Sequence, residues 1–184
     1  KRKLILRFWR ISPMQNWILH FLRKLYSSKK TTNSISFFVK MHLQTVKIGE
    51  ALYEQGREIR RNHLFQNVDN ADFYLNDPWE KKSVHIVVQN ESKAVGVGRL
   101  TYDEDGNGII SQMAVLPMYQ KQNVGSEIVQ ELIKLCVFAS AQKIYLSARE
   151  TSIGFYEKLG FNAIGAKFPS PKTGIVHVSM VLEL

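Results

Sequence analysis

The residues best suited to chemistry form a turn at 120–126, with the sequence Gln-Lys-Gln-Asn-Val-Gly-Ser. An apolar strand is predicted before it at 109–116, and an amphipathic helix from Asn123 to about Ala139. The first backbone N–H groups of a helix have no partner within the helix, and the helix dipole is positive at that end. Such a turn binds phosphate groups, and Lys121 adds a positive charge. The sequence therefore predicts a phosphate-binding turn here.

A second segment, Gly-Phe-Tyr-Glu-Lys-Leu-Gly-Phe at 154–161, follows some thirty residues later. Together the two segments resemble the acetyl-CoA site of the GNAT superfamily of N-acetyltransferases. The resemblance gives Tyr156 the role of the acid that protonates the departing thiolate of the cofactor. A phenol and a thiol have similar enough acidities for this transfer in a site with little water. In a competing interpretation, Tyr156 only packs its helix against the sheet.

The family pattern for the turn is Gln/Arg-x-x-Gly-x-Gly/Ala, and Gln120, Asn123 and Gly125 fall on its three positions. Asn123 replaces the first glycine. Asparagine is the residue other than glycine that best tolerates a positive φ, so we expect the turn to form. The resemblance further implies that pantetheine pairs with the backbone of the preceding strand as an added strand would. The cofactor contacts that it implies are Met113, Ala114, Val115, Gln120, Lys121, Gln122, Asn123, Val124, Gly125 and Ser126.

The base that deprotonates the acceptor amine differs between subgroups of the family. His177, which alternates with apolar residues in the last predicted strand, is our candidate. His85, Glu80 and Glu150 are further candidates for this base. Similarity to a bacterial subgroup of unassigned substrate covers about 125 residues and includes Arg60 and His85. We take Arg60, Glu80 and His85 as candidate substrate residues. The family often has Asn seven residues before the tyrosine, in contact with the cofactor, whereas this chain has Arg149.

The elements that must position these residues follow from hydrophobic periodicity. A helix over 45–66, broken or bent near Gly56, is followed by a loop or short helix up to residue 82. Three antiparallel strands (84–89, 94–102 and 109–116) precede the helix 123–139 and a strand at 144–147. A helix at 152–159 and strands at 162–166 and 175–182 complete the order. We expect an α+β, three-layer fold whose mixed, largely antiparallel sheet has helices on both faces.

Charge divides the 184 residues into two parts. Residues 1–40 hold ten Lys and Arg and no acidic residue, while residues 41–184 hold 15 basic and 16 acidic residues. The second part is nearly neutral, so we predict no nucleic-acid partner for it.

Cys136, the one cysteine, rules out an internal disulfide and a thiolate metal cluster, and is expected to be buried. The turn at 103–108 resembles the start of a calcium-binding loop. The twelfth position of such a loop must be Glu, and here it is Ala114, so no metal is predicted.

Residues 1–40 are predicted to be an extension of the acetyltransferase domain at 41–184, and three interpretations stay open. The extension is an interfacial amphipathic helix, an organellar targeting segment, or sequence upstream of the true start. Its longest charge-free run has 12 residues, fewer than the roughly 20 that span a bilayer. Membrane contact is therefore expected only through this extension, and a cytoplasmic location is predicted for the domain.

The predicted function is transfer of an acetyl group from acetyl-CoA to a primary amine of a small molecule or peptide, by direct attack in a ternary complex. Two alternatives remain. One is a CoA-binding or regulatory module without catalysis, suggested by Asn123 and Arg149. The other is a peripheral membrane protein that acts through residues 1–40. Homodimer formation is left open.

Overall fold

The computed structural model describes residues 41–184, which form seven strands and four helices. Short 3-10 turns occur at Glu80–Lys82, Pro117–Tyr119 and Glu150–Ser152. The strands are β1 (Met41–Val46), β2 (Val84–Asn90), β3 (Lys93–Tyr102), β4 (Gly108–Val115), β5 (Lys143–Arg149), β6 (Asn162–Pro169) and β7 (Val176–Glu183). The helices are α1 (Ala51–Leu64), α2 (Ala71–Leu75), α3 (Val124–Phe138) and α4 (Ile153–Glu157).

All seven strands belong to one sheet, in the order β1-β2-β3-β4-β5-β7-β6. Every neighbouring pair is antiparallel except β4 and β5, which are parallel. Parallel neighbours need a crossover connection, and α3 supplies it. The predicted fold class, a mixed and largely antiparallel sheet within an α+β fold, is confirmed.

Helices cover both faces of the sheet, as predicted. On one face α1 packs over β2, β3 and β4, and its buried side chains Tyr53 and Ile59 meet Val87, Val97 and Ala114. On the other face α3 and α4 enclose the larger core, whose fully buried members include Ile86, Leu100, Ile128, Leu132, Ile144, Phe161 and Met180. Cys136 is buried in this core, and burial raises the pKa of its thiol to about 12.

The prediction of a helix over 45–66, broken or bent near Gly56, is wrong at its start and at the glycine. Residues 41–46 form the edge strand β1, which the sequence analysis missed, and α1 begins only at Ala51. Gly56 lies within an uninterrupted helix and is buried. A Cβ at Gly56 would lie 2.8 Å from Val97 Cγ1 and 3.2 Å from Val87 Cγ2. The glycine therefore permits close packing of α1 on the sheet and does not bend the helix.

The predicted extension at residues 1–40 lies outside the described residues, so its three interpretations and the domain boundary stay predictions. Within residues 41–184, no helix has the length and apolar character needed to cross a bilayer. The predicted strands and helices after residue 83 agree with those of the structure to within a few residues at each end.

Candidate active site

A gap opens in the sheet between the parallel strands β4 and β5. Their pairing covers three residue pairs and ends at Ile110 with Leu146. β4 nevertheless continues to Val115, and β5 to Arg149. We call the space between residues 111–115 and 147–149 the β4–β5 gap. Along it, one edge of β4 has no neighbouring strand and can pair with a ligand in extended conformation.

A bulge in β4 lies at the start of this gap. Pairing of β3 with β4 shifts register between Val97 and Arg99, so that Gln112 and Met113 together lie opposite Gly98. Gln112 has a φ of 50°, in the left-handed region. The backbone of these two residues is consequently outside the regular ladders on both sides of β4. A Cβ at Gly98 would lie 2.6 Å from Met113 Sδ, so the bulge needs glycine opposite it.

The predicted phosphate turn lies at the end of β4 and begins α3. Lys121 and Asn123 have φ values of 59° and 67°, and Asn123 is the residue directly before the helix. No side chain caps this helix end, so the first N–H groups of α3 are left for a ligand. The side chains of Lys121, Gln122 and Asn123 are exposed. The expectation that Asn123 adopts a positive φ is confirmed.

Side-chain hydrogen bonds hold the turn against the sheet. Gln120 Nε2 donates to the Val115 carbonyl at 3.1 Å, and Gln122 Nε2 donates to the Met118 carbonyl at 2.7 Å. Gln120 thus binds the end of β4, and Gln122 binds the 3-10 turn that precedes the phosphate turn, so both bonds restrain the turn without a ligand. The predicted cofactor residues on β4 and in the turn are therefore contiguous in space as well as in sequence.

Helix α4 brings the second motif to the same place. A Cβ built on Gly125 would lie 3.3 Å from Phe155 Cζ and 3.8 Å from Val115 Cγ2. The beginning of α3, the end of β4 and the beginning of α4 therefore converge. Tyr156, the next residue of α4, is 8% exposed and packs edge-to-face against Phe155 and Phe161, with ring centroids 4.8 and 5.9 Å apart. Burial raises the pKa of the Tyr156 phenol to about 12.

His177 lies on the opposite face of the sheet from Tyr156. Met180 and Leu182 of β7 pack in the same core as Tyr156, and strand alternation places His177 on the other face. Its Nδ1 lies 2.7 Å from the Ile175 carbonyl, and its ring stacks on Phe168 at 6.3 Å between centroids. If Nδ1 donates to that carbonyl, Nε2 is left as an acceptor of protons.

Arg149 is the register partner of His177 and ends β5 at the border of the gap. Its Nη2 donates to the His63 carbonyl at 3.2 Å, so it connects β5 to the last turn of α1. His63 also borders an open cleft of about 520 Å³ between α1 and the turn that joins β2 to β3, lined further by Ile59, Ala94 and Leu116.

The predicted substrate residues Arg60, Glu80 and His85 are brought together, but in a buried cluster. They are 3%, 4% and 6% exposed. Arg60 makes two hydrogen bonds to the Glu80 carboxylate, at 2.7 and 3.1 Å, and His85 Nε2 lies 2.9 Å from the Glu80 carbonyl. Burial lowers the pKa of His85. This enclosure favours a structural role for the three residues over contact with a substrate.

Sequence reasoning missed the other members of this cluster. Arg99 of β3 binds both Glu80 and Asp77, with Nη1 2.8 Å from Glu80 Oε2 and 2.9 Å from Asp77 Oδ1. The Tyr53 hydroxyl donates to Glu80 Oε1 at 2.6 Å. Arg99 lies inside the apolar run 94–100, and this position could have indicated a buried ion pair, because a charged residue is buried only when it is paired.

Comparison with known proteins assigns the chain to a family. The model of the acetyltransferase (GNAT) family matches residues 50–161, more than half of the chain. The chain belongs to the GNAT acetyltransferase family. It is 32% identical over 107 residues to the "uncharacterized N-acetyltransferase YjcF" of Bacillus subtilis (strain 168), covering 58% of this chain and 75% of that protein. The prediction of an acetyl-CoA-dependent N-acetyltransferase is confirmed at the level of the family.

Two further similarities extend over more of the chain. The "uncharacterized protein YyaT" of the same bacterium is 29% identical over 138 residues, which are 73% of this chain and 91% of that protein. An aminoglycoside 6'-N-acetyltransferase solved with coenzyme A superposes with a TM-score of 0.64 at 14% identity, over 77% of this chain and 96% of that one. At this identity, the similarity to the solved structure shows the GNAT fold alone.

Proposed function

We propose that this GNAT protein transfers an acetyl group from acetyl-CoA to a primary amine of a small molecule or peptide, by direct attack in a ternary complex. The observation that carries the proposal is the β4–β5 gap, which has an uncapped helix start at one end and the helix α4, which carries Tyr156, packed against that helix start through Phe155. This gap offers a strand edge for pantetheine and backbone donors for phosphates in one continuous surface.

In the proposed complex, the pyrophosphate of acetyl-CoA binds the turn at 120–126. N–H groups at the start of α3 and the positive end of the helix dipole favour a phosphate there, and Lys121 adds charge. Pantetheine lies beside Met113, Ala114 and Val115, where β4 has no neighbouring strand on its β5 side. The thioester then lies near the β4 bulge, inside the gap.

The proposed reaction follows from the positions of Tyr156 and His177 on the two faces of the sheet. The neutral amine nitrogen attacks the thioester carbonyl carbon, and the carbon–sulfur bond of the tetrahedral intermediate breaks. The phenol of Tyr156 gives its proton to the thiolate, which becomes the CoA thiol. His177 takes the proton that the amine nitrogen loses, directly or through water. Burial raises the pKa of the Tyr156 phenol to about 12, so the phenol is protonated at neutral pH, as a proton donor must be.

The acceptor amine approaches from the face that carries α1 in this proposal. His177 and Arg149 lie on that face, and the 520 Å³ cleft beside Leu116 opens there as well. The amine and the acetyl donor would therefore reach the gap from different faces, which suits direct attack in a ternary complex. The acceptor side of the sheet would be supported from within the fold by the buried residues Arg60, Glu80 and His85.

Thiol release from acetyl-CoA across a panel of amines tests the proposal. At least one amine should accelerate thiol release by the full chain, and Tyr156→Phe should lower kcat about 100-fold, the usual contribution of a general acid. The matched control is Tyr102→Phe, which removes a phenol bonded to the Leu135 carbonyl outside the site. This control should keep the wild-type kcat.

Two outcomes would contradict the proposal. An unchanged kcat in Tyr156→Phe would remove this residue from the acid role. Tight binding of CoA without turnover on any amine would favour a regulatory CoA-binding module, the alternative that Asn123 and Arg149 suggest.

A further inference from the structure

Five buried or half-buried polar side chains form one ionic cluster under the sheet: Tyr53, Arg60, Asp77, Glu80 and Arg99. Glu80 lies at its centre and accepts hydrogen bonds from Tyr53, Arg60 and Arg99 at 2.6 to 3.1 Å. Two arginines thus balance two carboxylates, and the cluster satisfies its own charges. Such a cluster has a rigid geometry, because moving one member leaves a buried charge unpaired.

The ionic cluster binds the rest of the sheet at two consecutive residues of β4. Arg60 Nη1 donates to Gln112 Oε1 at 2.9 Å, and Arg99 Nε donates to Ser111 Oγ at 2.9 Å. Gln112 also donates through Nε2 to the Tyr74 carbonyl of α2 at 3.4 Å. Both polar atoms of the Gln112 amide are therefore bonded, the oxygen to Arg60 of the ionic cluster and the nitrogen to α2.

Ser111 and Gln112 lie where the regular pairing of β4 is interrupted. Pairing with β5 has ended at Ile110, and the bulge at Gln112 interrupts pairing with β3. Gln112 has a left-handed φ of 50°, a backbone conformation that persists for a residue other than glycine only where the surroundings enforce it. No strand enforces it here, so the hydrogen bonds of the side chain are the available restraint.

We propose that Gln112 is a positioning residue for acetyl-CoA, which transmits the rigid geometry of the ionic cluster to the backbone of Met113, Ala114 and Val115. The inference rests on the proposed function, since it concerns the same cofactor strand. Gln112 does not touch the reacting atoms. It fixes the bulge, and the bulge sets the direction of the N–H and C=O groups that pantetheine pairs with.

Binding of CoA to variants of the full chain, measured by calorimetry, tests this inference. Gln112→Met keeps the length of the side chain and removes both hydrogen bonds, so the Kd for CoA should rise about 10-fold. Gln112→Glu keeps an acceptor for Arg60 and should restore most of the affinity. In steady-state kinetics, Gln112→Met should raise the KM for acetyl-CoA more than it lowers kcat.

The matched control is Gln142→Met, which removes an exposed glutamine that bonds the Ser140 carbonyl beyond α3. Its Kd for CoA should equal that of the wild type. Should Gln112→Met unfold at the assay temperature, Gln112→Leu replaces it, since it also removes both hydrogen bonds, and this variant should weaken CoA binding by a similar factor. Equal affinity in the wild type and in the folded variant tested would overturn the inference.

Equal weakening by Gln112→Met and Gln112→Glu would also overturn it, because the bond from Arg60 would then not be the cause. A wild-type chain that binds no CoA would instead reject the proposed function itself. The two failures are therefore distinguishable in one series of titrations.

Discussion

Asn123 shows at the scale of one residue how a departure from the family pattern can be tolerated. The family has glycine at this position, and the sequence predicted that asparagine could adopt the required positive φ. The structure gives it a φ of 67° directly before α3. The conformation could be predicted because so few residue types enter the left-handed region. Gln112, also left-handed, could not, because its φ depends on partners 38 and 52 residues away.

Replacement of Asn123 tests how far the missing glycine lowers the affinity for CoA. Asn123→Gly removes a side chain next to the proposed pyrophosphate site and relieves the left-handed backbone, so the affinity for CoA should rise about 3- to 10-fold. Asn123→Val places a β-branched residue there and should lower the affinity by more than 10-fold. Calorimetric titration with CoA measures both changes.

Ser140→Gly is the control for these titrations. Ser140 is left-handed too, with a φ of 60°, but lies beyond the other end of α3. Its replacement should raise the free energy of unfolding and leave the affinity for CoA unchanged. A gain in affinity as large as that of Asn123→Gly would mean that the phosphate turn is not the binding site.

At the scale of elements, the order of strands and helices after residue 83 followed from hydrophobic periodicity. The edge strand β1 and the start of α1 did not. Met41–Val46 alternates only weakly, and it becomes a strand because β2 offers an edge for six residue pairs. The sequence predicts a break or bend at Gly56, since glycine is a poor helix former. The reason for glycine at this position lies in Val97, 41 residues later, and no local pattern shows it.

Gly56→Ala tests this account of α1. On an exposed helix this change stabilises the protein, by up to about 1 kcal/mol. Here the new methyl group would meet Val97 at 2.8 Å, so we expect a loss of about 1–3 kcal/mol in the free energy of unfolding. Chemical denaturation of the full chain gives the value.

The control for Gly56→Ala is Gly154→Ala in α4, where a Cβ would meet nothing within 4 Å. This variant should be as stable as the wild type or more so. Stabilisation by both variants would show that α1 does not pack on the sheet as closely as described.

At the scale of the whole molecule, the ionic cluster joins α1, β3 and the loop before β2, and its hydrogen bonds extend to β4. The burial of Arg60, Glu80 and His85 could not be predicted, because the partners come from distant parts of the chain. Burial by itself would raise the pKa of Glu80. Hydrogen bonds and charges from Arg60, Tyr53 and Arg99 outweigh burial and lower this pKa to about 2.

The stability of the molecule should therefore depend on pH through Glu80. Because its pKa is lower in the folded chain than its ordinary value of 4.5, its contribution is complete above about pH 4.5 and is lost as the pH falls towards 2. Glu80→Gln should cost about 3–5 kcal/mol at pH 7, since Arg60 and Arg99 lose their shared carboxylate. The difference from the wild type should shrink between pH 4.5 and pH 3.

Denaturation of both proteins at several pH values measures this difference, with Glu131→Gln as the control. Glu131 pairs with Lys134 on the surface, so its replacement should change stability little at any pH. A deficit of Glu80→Gln that stays constant down to pH 3 would mean that folding does not lower the pKa of this carboxyl group.

Acetyl-CoA is proposed to occupy the β4–β5 gap with its sulfur beside Tyr156. A crystal structure of the full chain with CoA tests this proposal most directly. We predict the pyrophosphate on the N–H groups of 120–126, pantetheine alongside Met113, Ala114 and Val115, and the CoA sulfur within hydrogen-bonding distance of the Tyr156 hydroxyl. CoA bound outside the gap, or bound in it with the sulfur far from Tyr156, would contradict the account.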